Sequence, residues 1–464
     1  MPQQCMCLIY VHAYLSFGTH SCQVSIPNET TRERKKRHKR IYQQPPILEV
    51  KGLEKIFRQG KQSHHALHKI NFSLYPGETL GLVGNSGSGK STLGNCLLKL
   101  INPDRGEIYY SGTKMNFSSD NTSPVPNQIL DKIKGANDGH QASYGEDDYM
   151  CELTDRIKDI FETEEARVYL VSTGTAANSL ALACLSNPWD TIFCSPISHL
   201  HQDECNAPEF FTGGAKLTLV GQSDKISPEK LNTAMLSEET RGIHGPQRGP
   251  VSITQITEKG RCYSLKEIHQ ISEVKSKFNS QLHMDGARFA NALSALNCSP
   301  AEMTWMAGVD AVTFGCTKNG LMGVEAVIFF SSKHAREFEL RRKRAGHLFS
   351  KNRYLAAQML GYLDNNLWLE LAKSSNKMAQ KLSRLLGILP YVKLHHETEA
   401  NMIFADMPRK AHQELFNSGA KYYLRNGFLE GDLDEFVTGR FVCSWSTTEE
   451  DIKAFITAAK KVNC

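Results

Sequence analysis

Short runs of apolar residues, each followed by a turn of glycine and other small residues, recur along this chain. Such runs predict buried strands, and apolar residues at helical spacing after several of them predict helices. The sequence predicts strands at residues 78–84, 168–171, 282–284, 311–314 and 326–330. Because α/β sheets place functional groups at the carboxyl ends of their strands, the turns after these runs are candidate sites of chemistry.

The turn after the first of these strands carries a phosphate-binding pattern. It fits G-x-x-x-x-G-K-[ST] at Gly84, Asn85, Ser86, Gly87, Ser88, Gly89, Lys90 and Ser91. Glycines let the backbone wrap a phosphate with its N–H groups pointing inward, and the lysine meets the β- and γ-phosphates. A helix predicted from Lys90, and stopped by Asn102 and Pro103, would direct its positive N-terminus at the anion. The pattern predicts a nucleotide-binding loop, with ATP and magnesium as candidate ligands.

Composition indicates a globular chain with more than one domain. Its 464 residues are 40% hydrophobic and 22% charged, which allows two or three domains, each with its own core. Thirteen cysteines without a C-x-x-C pair favour reduced thiols in a cytoplasmic protein over disulfides or a zinc ribbon. The net charge of +5 is too small to argue for nucleic-acid binding, and the basic run at 32–40 is read as a solvated tail or linker. Residues 1–25 lack the charged start of a signal peptide and are too interrupted for a membrane span, and no other segment approaches that length.

Residues 46–112 resemble the opening of an ABC-type ATPase domain, particularly those of peptide importers. The phosphate loop, the run ILEVKGLEKIF and Phe57, which stands where that family stacks an aromatic ring on adenine, carry the resemblance. The family's glutamine loop, LSGGQ signature and apolar run ending in Asp-Glu do not follow. Because phosphoryl transfer needs all these parts together, the resemblance implies a truncated fragment that hydrolyses almost no ATP. At Met115 turn-rich sequence replaces the expected continuation, which predicts that a second protein begins there or that two reading frames have been joined.

Three turns in the second part carry groups whose roles the residues themselves leave open. Ser172, Gly174 and Thr175, at the start of a predicted helix, could seat a phosphate or could simply cap the helix. Asp285, at the end of a predicted strand, could be a metal ligand, a base, the partner of a ring nitrogen or a helix cap. Lys318 lies in a glycine-rich turn between two apolar strands, where burial would lower the pKa of its ammonium and favour Schiff-base chemistry.

A fourth motif, H-x-H at His199 and His201, could bind metal or stack a ring on a flat cofactor. No third ligand stands at a recognisable spacing, so no metal is predicted. A phosphate seat, a carboxylate for a ring nitrogen and a lysine for an aldehyde are together what a pyridoxal-phosphate enzyme requires.

In this order and spacing, residues 115–460 resemble the low-specificity L-threonine aldolases of the β-eliminating lyase group. The resemblance is carried by the motifs FSSDNTS, YGEDD, STGTAAN, SHLHQDE, HMDGARF, TKNG, RRKRAGHLFSK and GRFVCSWSTTEEDI. It implies an α/β fold of the pyridoxal-phosphate fold type I class, with a large domain at 115–360 and a small C-terminal α/β domain at 361–464. The partial P-loop fragment at 46–114 and a disordered tail at 1–45 would precede it. The family also implies a homo-oligomer, either a dimer or a tetramer.

The resemblance assigns the central roles residue by residue. Lys318 would hold the cofactor's aldehyde as a Schiff base, Asp285 would keep the pyridine nitrogen protonated, and His199 would stack on the ring. The phosphate would be held by Ser172, Gly174 and Thr175, and the substrate carboxylate by Arg288 and Arg440, whose guanidinium groups suit bidentate pairing.

The implied reaction cleaves L-threonine or L-allo-threonine to glycine and acetaldehyde. The base is not readable from the sequence, with His199 and a water near His201 as candidates. Two other functions stay open at this point: an aminotransferase or another pyridoxal-phosphate reaction, and a nucleotide-binding module in which the N-terminal fragment supplies the function.

Some positions depart from the family pattern or carry no assigned role. A glycine-rich loop with M-R-Q, whose arginine reaches the phosphate of a neighbouring subunit in many members, is replaced here by AGHLFSKNR, which leaves Ser350 or Lys351 as substitutes. Cys443 and Ser444 stand where the family often has Thr-His, so the preference among threonine stereoisomers could differ. Asp120 and Tyr144 belong to motifs that border the site, and their roles stay open.

Overall fold

The computed structural model describes residues 9–11, 42, 46–59, 62–75, 80–82, 87–98, 100–110 and 115–462. The chain divides into two compact units, Met1–Lys114 and Met115–Cys464. The second unit begins at the residue where the character of the sequence changes. In the described part of the chain, no helix is both long and apolar enough to cross a membrane.

The N-terminal unit contains five strands and one helix in its described residues. Its elements are β1 Ile9–Val11, β2 Leu48–Gln59, β3 Gln62–Leu74, β4 Leu80–Leu82, α1 Lys90–Leu97 and β5 Arg105–Tyr110. Strands β3, β2 and β5 form an antiparallel sheet, and β1 pairs antiparallel with β4. Its buried apolar cluster consists, among described residues, of Leu48, Val50, Leu53, Leu67, Leu93 and Cys96.

Two predictions for this unit, the disordered tail and the helix from Lys90, can be compared with the structure. The predicted disordered tail includes strand β1, whose Ile-Tyr-Val sequence has high strand propensity. Apart from β1 and Tyr42, that tail lies outside the described residues. The predicted helix from Lys90 ends at Leu97, well before Pro103, because the N–H groups of Leu100 and Ile101 both turn back to the carbonyl of Asn95.

Within residues 115–462 the main element is a seven-stranded sheet in the order β6-β12-β11-β10-β9-β7-β8. Its strands are β6 Arg167–Val171, β7 Asp190–Cys194, β8 Lys216–Leu219, β9 Gln247–Thr254, β10 Leu282–Gly286, β11 Ala311–Gly315 and β12 Glu325–Phe329. Strand β12 is antiparallel to both neighbours, and the other six strands run in one direction. The predicted α/β fold is therefore confirmed for this unit.

Helices cover this sheet and supply its core contacts. They are α2 Asn127–Gly135, α3 Asp148–Ile160, α4 Gly174–Leu185, α5 His199–Gln202, α6 Ala207–Thr212, α7 Pro228–Ser237, α8 Leu265–Lys277, α9 Phe289–Leu296, α10 Pro300–Met303, α11 Ala335–Arg344 and α12 Arg353–Leu363. Every residue of β7, β10, β11 and β12 is buried. Strands covered on both faces read as nearly continuous apolar runs, as β11 (AVTFG) and β12 (EAVIF) do.

The C-terminal part adds a smaller antiparallel sheet in the order β13-β14-β16-β15. Its elements are α13 Leu367–Leu386, β13 Lys393–Leu394, β14 Met402–Pro408, α14 Arg409–Asn417, β15 Tyr423–Arg425, β16 Phe436–Val442 and α15 Glu449–Ala459. Met115 and Phe117 belong to the apolar cluster beneath this sheet, and the Phe117 and Phe455 rings lie 5.2 Å apart. Met115 and Phe117 thus pack with the C-terminal part of the unit. The domain boundaries predicted from the sequence place these two residues in the large domain at 115–360.

Candidate active site

The carboxyl edge of the seven-stranded sheet gathers three of the predicted site residues. Ser172 directly follows β6, Asp285 is the next-to-last residue of β10, and Lys318 lies three residues after β11. Because these strands run in the same direction, their carboxyl ends meet at one edge. Gly286 is required after Asp285, since a Cβ there would come within 2.5 Å of the Thr313 carbonyl oxygen.

Lys318 lies in a 3₁₀ turn, Thr317–Asn319, and its side chain is half-buried. Removal from water and the nearby positive charge of Arg288 lower the pKa of the Lys318 amine, and the carboxylates of Asp120, Asp285 and Glu325 only partly oppose this. A lowered pKa increases the fraction of neutral amine, which is the nucleophilic form.

Two buried side chains, Glu325 and Asn319, fix the turn that carries Lys318. The carboxylate of Glu325 on β12 accepts a hydrogen bond of 2.6 Å from the Cys316 N–H. Asn319 donates through its amide to the Tyr362 hydroxyl at 2.7 Å and to the Trp368 carbonyl at 2.9 Å. Burial raises the pKa of Glu325 to about 7. The turn is thus held from both the sheet and the helices, which limits the positions that the Lys318 amine can occupy.

Asp285 is almost fully buried, with 2% of its surface exposed, and both of its carboxylate oxygens accept hydrogen bonds. The Ala287 N–H donates to Oδ1 at 3.0 Å, and the Asn178 amide donates to Oδ2 at 3.0 Å. The first bond is a local turn contact, but the second comes from the middle of α4, so Asp285 does more than begin a helix.

His199 opens the short helix α5 and contacts two buried carboxylates. Its Nδ1 lies 2.9 Å from Glu204 Oε1, and its backbone N–H donates to Glu258 Oε1 at 2.7 Å. The hydrogen bond to Glu204 raises the pKa of the His199 imidazole, with Asp285 adding to the effect. Burial, together with the charge of Asp285, raises the pKa of Glu258 to about 7.

The start of α4 is the candidate anion seat. Thr173 is the N-cap, and its hydroxyl accepts the Ala176 N–H at 3.2 Å, which leaves the N–H groups of Gly174 and Thr175 directed outward at the first turn. A Cβ built on Gly174 would meet nothing within 4 Å, so the seat has open space.

His347 also lies at this seat. Its Nδ1 is 3.2 Å from Ser172 Oγ, and burial lowers the pKa of its imidazole. By contrast, Ser350 and Lys351, the substitutes suggested by the sequence, are exposed, and the Ser350 carbonyl accepts the Tyr144 N–H at 3.0 Å.

The two predicted carboxylate-binding arginines have different partners. Arg288 donates through Nε and Nη2 to the two oxygens of Asp120 at 2.6 and 3.0 Å, and both residues are buried. Burial raises the pKa of Asp120, but the positive charge and hydrogen bonds of Arg288 lower it, and the net result is a lowered pKa. The Asn401 amide also donates to this carboxylate at 3.1 Å. Arg440 donates to the Ser118 carbonyl at 3.3 Å and forms no ion pair with any residue that the structure describes.

Desolvation and the charge of Arg288 lower the pKa of Arg440 to about 10. A half-buried cation without an acidic partner among the described residues is suited to an anionic ligand. Arg440 is therefore the more available of the two guanidinium groups.

The predicted nucleotide loop is only partly described and belongs to the other unit. Gly84, Asn85 and Ser86 lie outside the described residues. The remaining residues of the motif lead into α1, which begins at Lys90. Gly87 and Gly89, just before the helix, have positive φ of 84° and 87°. The Lys90 ammonium donates to Ser88 Oγ at 3.2 Å.

Four residues near the site were not singled out from the sequence: Asn178, Glu204, Glu258 and His347. Asn178 had a signal, because it is a polar residue inside the otherwise apolar helix sequence AANSLALACL. Glu204 stands within the quoted motif SHLHQDE, but no role was predicted for it. Glu258 and His347 lie in loops whose positions only the tertiary structure determines.

Comparisons with known proteins identify the family of the second unit. The model of the family described as beta-eliminating lyase matches residues 116–408. A low-specificity L-threonine aldolase from Pseudomonas sp. (strain NCIMB 10558) is 40% identical over 338 residues, which cover 73% of this chain and 94% of that protein. The solved structure of a threonine aldolase from Leishmania major superposes with a TM-score of 0.69 at 26% identity, covering 75% of this chain and 98% of that one. Fold and site thus define an α/β protein of the aminotransferase-like pyridoxal-phosphate class. The chain belongs to the beta-eliminating lyase family and, within it, to the low-specificity L-threonine aldolases.

The other unit matches different proteins over a short stretch. The glutathione import ATP-binding protein GsiA of Salmonella typhi is 45% identical over 78 residues, which cover 15% of this chain and 12% of that protein. The match thus covers a small fraction of the ATP-binding protein.

Proposed function

We propose that the unit Met115–Cys464 is a pyridoxal-phosphate-dependent carbon–carbon lyase that cleaves L-threonine and L-allo-threonine to glycine and acetaldehyde. One observation carries the proposal: the half-buried Lys318, whose amine has a lowered pKa, shares a sheet edge with the buried carboxylate of Asp285. The family membership reported above supports the same reaction.

The residues at this edge fit pyridoxal phosphate. A primary amine with a lowered pKa suits the aldehyde, a buried carboxylate suits the ring nitrogen, and a helix start with open space suits the phosphate. Lys318, Asp285 and the seat at Ser172, Gly174 and Thr175 would therefore hold the cofactor. When bound, it would supply an electron sink for the bond broken next to the amino group.

The protein's own groups position and protect this chemistry. Asp285 is held as an acceptor by Asn178 and Ala287, so its carboxylate can keep a ring nitrogen protonated. The His199 ring, tied to Glu204, would cover the flat face of the cofactor. Ser172 and His347 would contact the phosphate from within the same chain, in place of the arginine loop that many relatives use.

Arg440 would bind the carboxylate of the amino acid. It has no acidic partner among the described residues, whereas Arg288 is already paired with Asp120. We assign Arg288 instead to holding Asp120 and adding positive charge beside Lys318, which lowers the pKa of the Lys318 amine.

The N-terminal unit would be a remnant of an ABC-type ATPase domain without catalytic function. Its match covers 12% of a GsiA protein, and the sequence lacks the signature and the acidic strand that hydrolysis needs.

Borohydride reduction followed by peptide mapping tests the cofactor site directly. The pyridoxyl group is expected on Lys318, and a label on another lysine would refute the assignment. Product analysis tests the reaction: acetaldehyde formed without any added oxo-acid supports the lyase, whereas a requirement for an oxo-acid would indicate an aminotransferase.

A further inference from the structure

A continuous line of hydrogen bonds connects His199 to Asp285 behind the proposed cofactor position. His199 Nδ1 lies 2.9 Å from Glu204 Oε1, and the Asn178 amide nitrogen lies 2.9 Å from the same oxygen. That amide nitrogen also donates to Asp285 Oδ2 at 3.0 Å. Two carboxylates on different elements are thus bridged by one buried amide.

Three of the four residues in this line are shielded from water. The exposed fractions are 2% for Asn178, 3% for Glu204 and 2% for Asp285. An amide N–H₂ group has two protons, and here each is directed at a different carboxylate oxygen. Rotating the Asn178 amide by half a turn would direct its carbonyl at both carboxylates, so the donor orientation is determined by its surroundings.

The same geometry bears on the proton of His199. A carboxylate 2.9 Å from Nδ1 favours the ring form that carries a proton on Nδ1, because the carboxylate can then accept it. In the neutral ring, Nε2 is then left as the basic nitrogen. The tautomer of a histidine is commonly set in this way by the partner of its other nitrogen.

We infer that Glu204 is a positioning residue that fixes His199 in the Nδ1-protonated form, and that Asn178 ties this arrangement to Asp285. The inference rests on the proposed function, because it gives His199 and Asp285 their places around the cofactor. It adds two residues to the reaction machinery, neither of which touches substrate.

The charges around His199 set the direction of the effect. Glu204 faces Nδ1, Asp285 lies behind Asn178, Glu258 holds the backbone N–H, and Lys318 supplies the nearby positive charge. The carboxylates favour the protonated ring, and Lys318 and burial oppose it. Because Glu204 is the hydrogen-bonded partner, removing its charge is expected to lower the His199 pKa more than changing any of the others.

The tautomer can be measured in the unmodified full-length holoenzyme. Long-range ¹H–¹⁵N NMR of protein labelled at histidine gives the shifts of both ring nitrogens, and His199→Asn identifies the His199 signals. At a pH where the ring is neutral, the proton is expected on Nδ1. A neutral ring with its proton on Nε2 would mean that Glu204 does not accept from His199, and would overturn the inference.

The variant Glu204→Gln separates charge from shape. Glutamine keeps the size of the side chain and an oxygen acceptor, so folding and cofactor binding are expected to change little. The His199 pKa is expected to fall by about one unit or more, a tenfold change in proton affinity, and the acidic limb of the kcat/KM profile should move with it. An unchanged His199 pKa in a folded Glu204→Gln protein would contradict the inference.

Asp190→Asn is the matched control. Asp190 is also a buried acid whose pKa is raised by burial, but it begins β7 at the opposite end of the strand from His199. Its substitution should leave the His199 pKa and tautomer unchanged. Acetaldehyde release measured on the same samples tests the proposed function separately, because the tautomer is read without turnover.

Discussion

The two units of this chain each carry a lysine in a recognisable motif, but they surround it differently. Lys90 starts a helix of eight residues, and the buried apolar cluster of its unit has six members among the described residues. Lys318 lies at the edge of a sheet whose central strands are buried on both faces. A motif can be kept in a short segment, but the environment that changes a side chain's chemistry requires a complete core.

The electrostatics around Lys318 depend on the folded core of the second unit. Lys318 has Arg288, Asp120 and Asp285 close enough to act on its pKa, and the balance with burial lowers it. Asp120 lies 168 residues before Arg288 in the sequence, and Lys318 lies after both, so only the folded unit brings these groups together. We therefore expect substitutions of the site residues in the second unit to have large functional effects, and substitutions in the first unit to have almost none.

The largest effect is expected for Lys318→Ala. Removing the amine that forms the covalent bond to the cofactor should lower threonine cleavage on the order of a thousandfold or more. Acetaldehyde release measures the loss, and Lys333→Ala, which removes an exposed lysine of the same unit, should be unaffected. A Lys318→Ala protein with more than a tenth of the normal rate would break the comparison, because the buried lysine would then be dispensable.

Asp285→Asn comes next in size. A neutral amide cannot stabilise a protonated ring nitrogen, and loss of that charge-assisted bond costs about 2–3 kcal/mol, or roughly 30- to 150-fold in rate. The bond from Asn178 can still be accepted by the amide oxygen, so cofactor binding should persist. Normal turnover in this variant would show that Asp285 serves only the structure of the turn.

Much of this architecture could be predicted because local patterns determine it. The buried runs at 168–171, 311–314 and 326–330 each lie in an observed strand, within one or two residues at their ends. The turns after the runs at 168–171 and 311–314 place Ser172 and Lys318 at one edge of the sheet, because the carboxyl ends of strands that run in the same direction lie at the same edge.

The partners of these residues could not be predicted in the same way. Arg288 in the motif HMDGARF was predicted to bind the substrate carboxylate, yet Asp120, 168 residues earlier, pairs with it. Glu204 follows two histidines in the motif SHLHQDE without any sign of its burial, yet it is buried and accepts a hydrogen bond from Asn178. Pairings across long sequence separations depend on tertiary packing, which a single sequence does not contain.

A smaller effect, on stability, is expected for Asp224→Asn. Asp224 binds Arg261 and Thr257 in the loop that also carries Glu258, and these bonds hold the pKa of Asp224 at about 2. A carboxyl with a pKa near 4 in the unfolded chain then stabilises the fold above about pH 4, and the stabilisation is lost as the pH falls towards 2.

Urea unfolding at several pH values measures this effect. The variant should be about 2 kcal/mol less stable at pH 7, and the difference should shrink between pH 4 and pH 2. Asp364→Asn, which breaks the exposed pair with Lys132, should change stability by less than about 0.5 kcal/mol. A constant difference across this pH range would show that Asp224 acts through packing rather than charge.

The smallest effect is expected from changes in the first unit. Lys90→Ala, and removal of all residues before Met115, should each leave threonine cleavage within about twofold, because the second unit contains its own core and all the proposed site residues. The full-length chain should also hydrolyse no ATP above background, since a phosphate loop without its magnesium-binding and signature elements cannot position the reacting groups. ATP turnover that Lys90→Ala abolishes would overturn the comparison between the two units, and it would require a catalytic role for the N-terminal unit as well.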